Sequence, residues 1–427
     1  MVLVKKYLGR TRVSASLLDT QIKIDGSELY RELRTERPVY HDKDVGMYVV
    51  SRYDDIRNVF RQPNLYSNAL AMFHSYNHDT VVRDIMTREG HGPFKEVLPM
   101  TDPPIHMRVR TLTTMAFSPR RIDAKQSGVK ALIGEFFDAF IDDGRLEVVS
   151  QLALPLPVTI ICDLLSLPRS RAEDVKRWTR AYTACAGNRI QTVEEAEQVG
   201  RDQAEMQNCI TETYARCRAS PDDSLMKALG NASTADFEPL DEAELLAVAA
   251  AIMVAGHETT TVAITNMFKY LATVPGAMDQ LRSADDPDTA AENFCNEVLR
   301  LVPPVKMHPR VTTEDTTLGD VKIPKFSPVM VITASANRDD EFFEHAADFV
   351  AGRPNGSRHM SFGGGIHSCL GMQLAMIELK CLVRTIITRM SKLQLATPNI
   401  PISDYEAVIM PWNFQLKKLD IFFERRP

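Results

Sequence analysis

Apolar residues recur at helical spacing through residues 129–141, 172–182, 193–218 and 242–271, and each run predicts a helix with one buried face. Two more helices are expected, over about 288–301, ended by Pro303-Pro304, and over 371–390. The stretch "RPVYHDKDVGMYVVSRYDD" alternates in a way that predicts two short strands around a Lys43–Gly46 turn, followed by a helix. "VTTEDTTLGDVKIP" and "SPVMVITA" also read as strand-like pieces. Between Asn68 and Pro104 the periodicity is lost, and a polar stretch of that length is expected to be a functional loop or lid. The pattern is that of a mainly α protein with a small β portion. With no repeat, low-complexity tract or charged linker, residues 1–427 are expected to form one domain.

The longest apolar run, residues 245–256, is shorter than the roughly 20 residues a spanning helix needs. It is read as a buried helix, with no membrane partner. Hydrophobic residues at 44% and charged ones at 25% allow a large core, and a net charge of −6 speaks against nucleic acid as a partner. The seven cysteines form no C-x-x-C pair, and the first ten residues hold too few apolar positions for a secretory leader. Reduced thiols and a cytoplasmic location are the expectation.

Four stretches carry candidate chemistry. In "SFGGGIHSCLG" three consecutive glycines, Gly363 to Gly365, free the backbone and would let a flat molecule approach. Cys369 follows where the next helix is expected to begin, and a helix N-terminus favours thiolate over thiol. Such a sulfur is either a nucleophile, with His367 as its base, or a metal ligand. In "AGHETT" Gly256 costs about 1 kcal/mol relative to alanine inside a helix. Thr259 lies four residues after Ala255, within reach of its carbonyl, and Glu258 adds a carboxylate. That is either a groove with a proton relay or a kink beside a partly solvated acid. "DPPIHMRVR" places His106 and Arg110 on one helix face, and "NEVLR" sets Glu297 three residues before Arg300.

The arrangement Phe362-x-x-Gly365-x-His367-x-Cys369-x-Gly371 resembles the haem-thiolate loop of the cytochrome P450 family, and the other stretches match that family in order. The resemblance implies the cytochrome P450 fold, with haem b held between a long distal helix and the cysteine loop. Cys369 would be the iron ligand, with Phe362 packed near its sulfur. His106, Arg110, Arg310 and His367 would contact the haem propionates. Glu258 and Thr259 would be the acid and alcohol of oxygen activation, and Ala255 and Val305 would border the substrate. His257 and the six other cysteines are read as packing residues. Lys306 is read as a lysine whose stem packs while its head reaches a propionate or water, in preference to an anion-binding role toward substrate.

The implied activity is a bacterial-type monooxygenase acting with O2 on a small hydrophobic molecule, a terpenoid or similar hydrocarbon. The alternatives are an H2O2-driven peroxygenase of the same fold, or a non-catalytic haem sensor or carrier. Only a short segment follows Cys369, so electrons are expected from a separate ferredoxin and its reductase. Arg108, Arg121, Lys380 and Arg384 are its candidate contacts on the cysteine side. One departure stands out. Asp348 occupies the place where relatives complete the Glu297/Arg300 pair with an arginine, which puts that three-residue network in doubt.

Overall fold

The computed structural model describes residues 17, 19–71, 78–186, 189–221, 223–408, 410 and 413–426. The stretch read for a leader, residues 1–10, lies outside these. At the centre runs one helix, Glu242–Thr273, whose start is fixed by a capping box between Asp241 and Glu244. It is long and apolar enough to cross a bilayer, yet 67% of its most apolar stretch is buried inside the protein. Its neighbours explain why. The helices Pro155–Leu165, Ala172–Ala186, Val193–Ala219, Pro287–Leu301 and Met372–Arg389 all pack on it or on one another.

The β portion lies to one side. A five-stranded sheet has the spatial order Val39–Asp42, Met47–Val50, Pro328–Val331, His308–Thr312 and Tyr66–Ser67. Its first two strands form the expected hairpin, with Asp42 opposite Met47 and Gly46 at φ +68° in the turn. Pairing of His308 with Val331 brings the segment after Pro303-Pro304 beneath the sheet. Two hairpins and a three-stranded sheet, Arg145–Glu147, Asp420–Arg425 and Met390–Leu395, complete the β structure of the described residues.

The described part of the stretch from Asn68 to Pro104 holds more regular structure than its sequence suggests. It contains a helix, Asp79–Arg88, whose Val82 and Met86 bury against Ala181, Ala196 and Val199 of the two helices above it. A two-residue apolar stripe was too short a signal. The flanking segments still cover the central cavity, to which they contribute Asn68, Leu98 and Pro99.

Candidate functional site

A cavity of about 350 Å³ separates the central helix from the cysteine loop. Ala255, Thr259 and Ala263 form its distal wall, Cys369, Phe362 and Leu374 its proximal one, and Val305 an edge. These walls come from segments about a hundred residues apart in sequence, which the helix Pro287–Leu301 ties together. Ser361 Oγ in the cysteine loop donates to Leu299 O at 2.7 Å, and Asn337 Nδ2 donates to Ser361 Oγ at 2.9 Å.

On the distal side Thr259 Oγ1 donates to Ala255 O at 2.8 Å, the bond its spacing predicts. Gly256 serves a packing need as well, because a Cβ there would collide with Ile161 of a neighbouring helix. Glu258 is buried at 8% exposure but lies outside the cavity lining, so the acid and the alcohol occupy different faces of the helix. His257 packs: its Nδ1 lies 3.1 Å from Met253 O and its Nε2 3.3 Å from Thr179 Oγ1. Burial lowers its pKa to about 4, keeping it neutral.

The cysteine loop departs from expectation in two ways. Gly363 and Gly365 do take left-handed backbone, at φ +71° and +64°. What presses on Gly364 and Gly365, however, is Phe60: a Cβ on Gly364 would sit 2.7 Å from its ring, and one on Gly365 would strike its carbonyl oxygen. The glycines thus admit a helix of the protein itself. Gly365→Ala is accordingly expected to destabilise the fold well beyond the roughly 1–3 kcal/mol of a strained φ. Gly363→Ala, whose Cβ would meet only His367 O at 3.7 Å, should cost that strain alone. Thermal unfolding of the two variants measures the difference.

The second departure concerns the thiol. Cys369 N donates to Phe362 O at 2.8 Å, which closes the loop, and the residue is exposed and lines the cavity. Burial pushes its pKa up, against the pull of the Gly371 and Met372 amides and of Arg110. The amides at the helix start thus favour the thiolate, as the sequence suggests, while burial opposes it. A cation at the sulfur would decide for the thiolate.

The expected anion contacts do converge. His106, Arg110, Arg310 and His367 all line the cavity. The His106 and His367 rings lie 4.2 Å apart, and Arg110 Nη1 donates to Ser368 O at 2.7 Å. Arg310 is 6% exposed, sits 5.3 Å over the Phe60 ring and forms no ion pair with a carboxylate among the described residues. Burial lowers its pKa to about 10. His308 joins this group, a residue the sequence reading passed over. It stands two positions before Arg310 on one strand, hence on the same face, and that spacing was the available signal. His106 Nδ1, His308 Nε2 and His367 Nε2 are buried without a hydrogen-bond partner among the described residues. Buried polar nitrogens of this kind need a polar ligand, and an anion suits those that carry the proton. Two carboxylates on the edge of a flat group whose metal takes a sulfur ligand fit the donor set.

Three sequence expectations require correction. The Glu297 network is complete, and its third member is Arg353, not Asp348. Glu297 meets Arg300 through two 2.8 Å contacts and Arg353 at 3.4 Å, while Asp348 offers Arg300 only its backbone carbonyl, at 2.9 Å. Lys306 reaches neither substrate nor propionate. Its Nζ donates to Lys23 O at 2.6 Å and Ile24 O at 2.7 Å, because the side chain points away from the cavity that Val305 lines. Nor do the four docking candidates form an unneutralised patch. Arg108 pairs with Glu244, Arg121 with Asp223, Lys380 with Glu292 and Arg384 with Asp288, at 2.7, 2.8, 2.7 and 3.3 Å.

Comparison with known proteins agrees with this geometry. The cytochrome P450 family profile matches residues 46–286 and 289–417. The chain is 31% identical over 395 residues to cytochrome P450 109 of Bacillus spizizenii, covering 92% of this chain and 90% of that one. It is 29% identical over 374 residues to 6-deoxyerythronolide B hydroxylase of Saccharopolyspora erythraea, covering 87% and 90%. Its fold superposes with a TM-score of 0.76 and 25% identity on CYP109E1 from Bacillus megaterium in complex with testosterone, covering 93% and 99%. The family binds haem through a cysteine thiolate. With the profile spanning most of its length and a relative at 31% identity, the chain belongs to the cytochrome P450 family.

Proposed function

We propose that residues 1–427 act as one haem-thiolate monooxygenase unit that inserts one atom of O2 into a small hydrophobic molecule, a terpenoid or a compound of similar apolar ring character. The observation that carries this reading is the placement of Cys369 and Thr259 on opposite walls of one largely apolar cavity. Cys369 is the sulfur ligand, and Phe362 packs beside it. His106, Arg110, Arg310, His367 and His308 hold the propionates. Bound haem supplies the binding and reductive cleavage of O2, which thiolate donation favours.

The chain's own part is to shape the substrate space and to order protons. Ala255 and Val305 present small apolar surfaces beside the reacting centre. Thr259, its hydroxyl proton engaged by Ala255 O, keeps lone pairs free to hold a proton-donating water at the cavity face. Glu258 replenishes that water from the buried side of the helix. One relative is named for hydroxylation of 6-deoxyerythronolide B and another is seen with testosterone, which supports an apolar substrate with fused or large rings. A separate ferredoxin with its reductase delivers the electrons, and the seven free thiols suit a reducing cytoplasm.

Product formed per NAD(P)H consumed, with ferredoxin and reductase supplied, tests the relay. Thr259→Ala should bind substrate normally yet send most electrons to peroxide. Glu258→Gln should slow turnover by about 10²-fold, the usual scale for a general acid. Unchanged coupling and rate in both variants would remove these residues from the mechanism.

A further inference from the structure

Behind the central helix lies a second cavity, of about 540 Å³, with no part in the site above. Its charges are unbalanced: Lys269, Lys306 and Arg338 line it against a single carboxylate, Asp25. None of the three cations lies within ion-pair distance of a carboxylate among the described residues. Lys306 is the most confined, at 8% exposure. Two of its three donors are spent on Lys23 O and Ile24 O, leaving one. Tyr30, also in the lining, is 3% exposed, and its Oη has no hydrogen-bond partner among the described residues. The remaining wall is mixed, with an apolar part formed by Val262, Leu301, Ile402 and Phe414 beside the polar Thr265, Asn266 and Gln415.

We propose that this cavity is a binding site for a small amphiphilic anion, with its carboxylate toward Lys269, Lys306 and Arg338 and its apolar body against Val262, Leu301 and Phe414. A buried ammonium without a counter-ion is costly, and a buried hydroxyl without a partner adds to that cost. An anionic head offsets both, while an apolar tail gains from leaving water. A neutral hydrophobe would answer only the second need, and an inorganic anion only the first.

The position gives the ligand a consequence. The two cavities share the segment 303–306 as a wall: Pro303 and Lys306 line the second cavity, Pro304 and Val305 the first. The central helix is shared as well, with Thr259 and Ala263 on one side and Val262 and Thr265 on the other. A ligand that fixes Lys306 fixes its neighbour Val305, so occupancy of the second cavity biases the first. Reciprocity then requires that a ligand of the first alter affinity at the second by the same factor.

The experiment titrates octanoate into the haem-loaded protein whose first cavity is filled with clotrimazole, an azole that ligates the iron. Carboxyl-labelled octanoate is followed by NMR. Saturable binding of one octanoate per chain is expected, weakened at least tenfold by Lys269→Glu and also by Tyr30→Phe. Octanol, of the same length without the charge, should bind at least tenfold more weakly. Conversely, octanoate should change the clotrimazole affinity at least threefold. Competition between clotrimazole and octanoate for one site would overturn the proposal, as would binding indifferent to Lys269→Glu. An azole affinity unmoved by saturating octanoate would overturn the coupling. None of these readouts involves oxygenation, so they stand or fall apart from the function proposed above.

Discussion

Replacing Cys369 with serine is expected to abolish the thiolate-type Soret band of the reduced, CO-treated protein and to remove monooxygenase turnover altogether. Among the described residues the sulfur is the single soft donor lining the cavity, and a serine hydroxyl at the same place is neither soft nor ionised near neutral pH. The substitution is small. Cys369 N would still donate to Phe362 O, and Gly363 and Gly365 would keep their left-handed turns, so the loop should close as before. His106, Arg110 and Arg310 would also remain, and they should still retain haem, though more weakly. The outcome is therefore a folded protein with altered haem, which circular dichroism and haem content distinguish from an unfolded one. Cys295→Ser is the control. Its thiol is fully buried in the core, and burial above all drives its pKa up, so it should leave the haem spectrum untouched. A thiolate spectrum that survives in Cys369→Ser would refute the assignment.

The parts of this fold that could be read from sequence are those where one face is buried and the other is not. The helix Val193–Ala219 alternates faces and so declared itself, with its start at Thr192, whereas Pro287–Leu301 shows an exposed face only in its first half and is ended by Pro303-Pro304. Pro155–Leu165 did not declare itself, because nearly every residue in it is buried and no periodicity survives. Its prolines look like breakers, although proline at the first helical position is favourable. The site follows the same logic. Local spacings revealed the Thr259–Ala255 bond and the cysteine loop, whose chemistry lies within a dozen residues. His308 could have been found from its period-two spacing to Arg310. Arg353 could not: it meets Glu297 across 56 positions, and nothing local separates it from Asp348 five residues earlier. Lys306 shows the limit most sharply. Whether it or Val305 faces the haem cavity is a matter of one residue in register, and only the strand pairing that follows decides it.

That long-range network carries the other large effect. Glu297→Gln is expected to cost about 3–5 kcal/mol, the usual penalty for removing one partner from a buried ion pair. Arg300 is wholly buried, and in the variant its guanidinium would face a neutral amide while still held by Asn337 O and Ala346 O at 2.7 Å. Glu297 also accepts from Val350 N at 2.8 Å, so the same change loosens the segment that leads into the cysteine loop. Loss of haem on dilution should accompany the fall in urea midpoint. Acid should act like the mutation. Burial pushes the Glu297 carboxyl up, but the bonds from Arg300 and Val350 and the charges of Arg300 and Arg353 more than reverse this, and its folded pKa lies below 4.5. A depressed carboxyl contributes stability that is full above its unfolded value and drains away as pH falls through the folded one. The wild type should therefore lose this contribution progressively below about pH 4.5, whereas Glu297→Gln, having no such charge to lose, should show a flatter stability profile across that window. Asp348→Ala supplies the contrast. Asp348 is exposed and serves the network through its backbone, so its substitution should stay within about 0.5 kcal/mol of wild type. Equal destabilisation by Asp348→Ala and Glu297→Gln would mean that the Asp348 side chain, and not Arg353, completes the network.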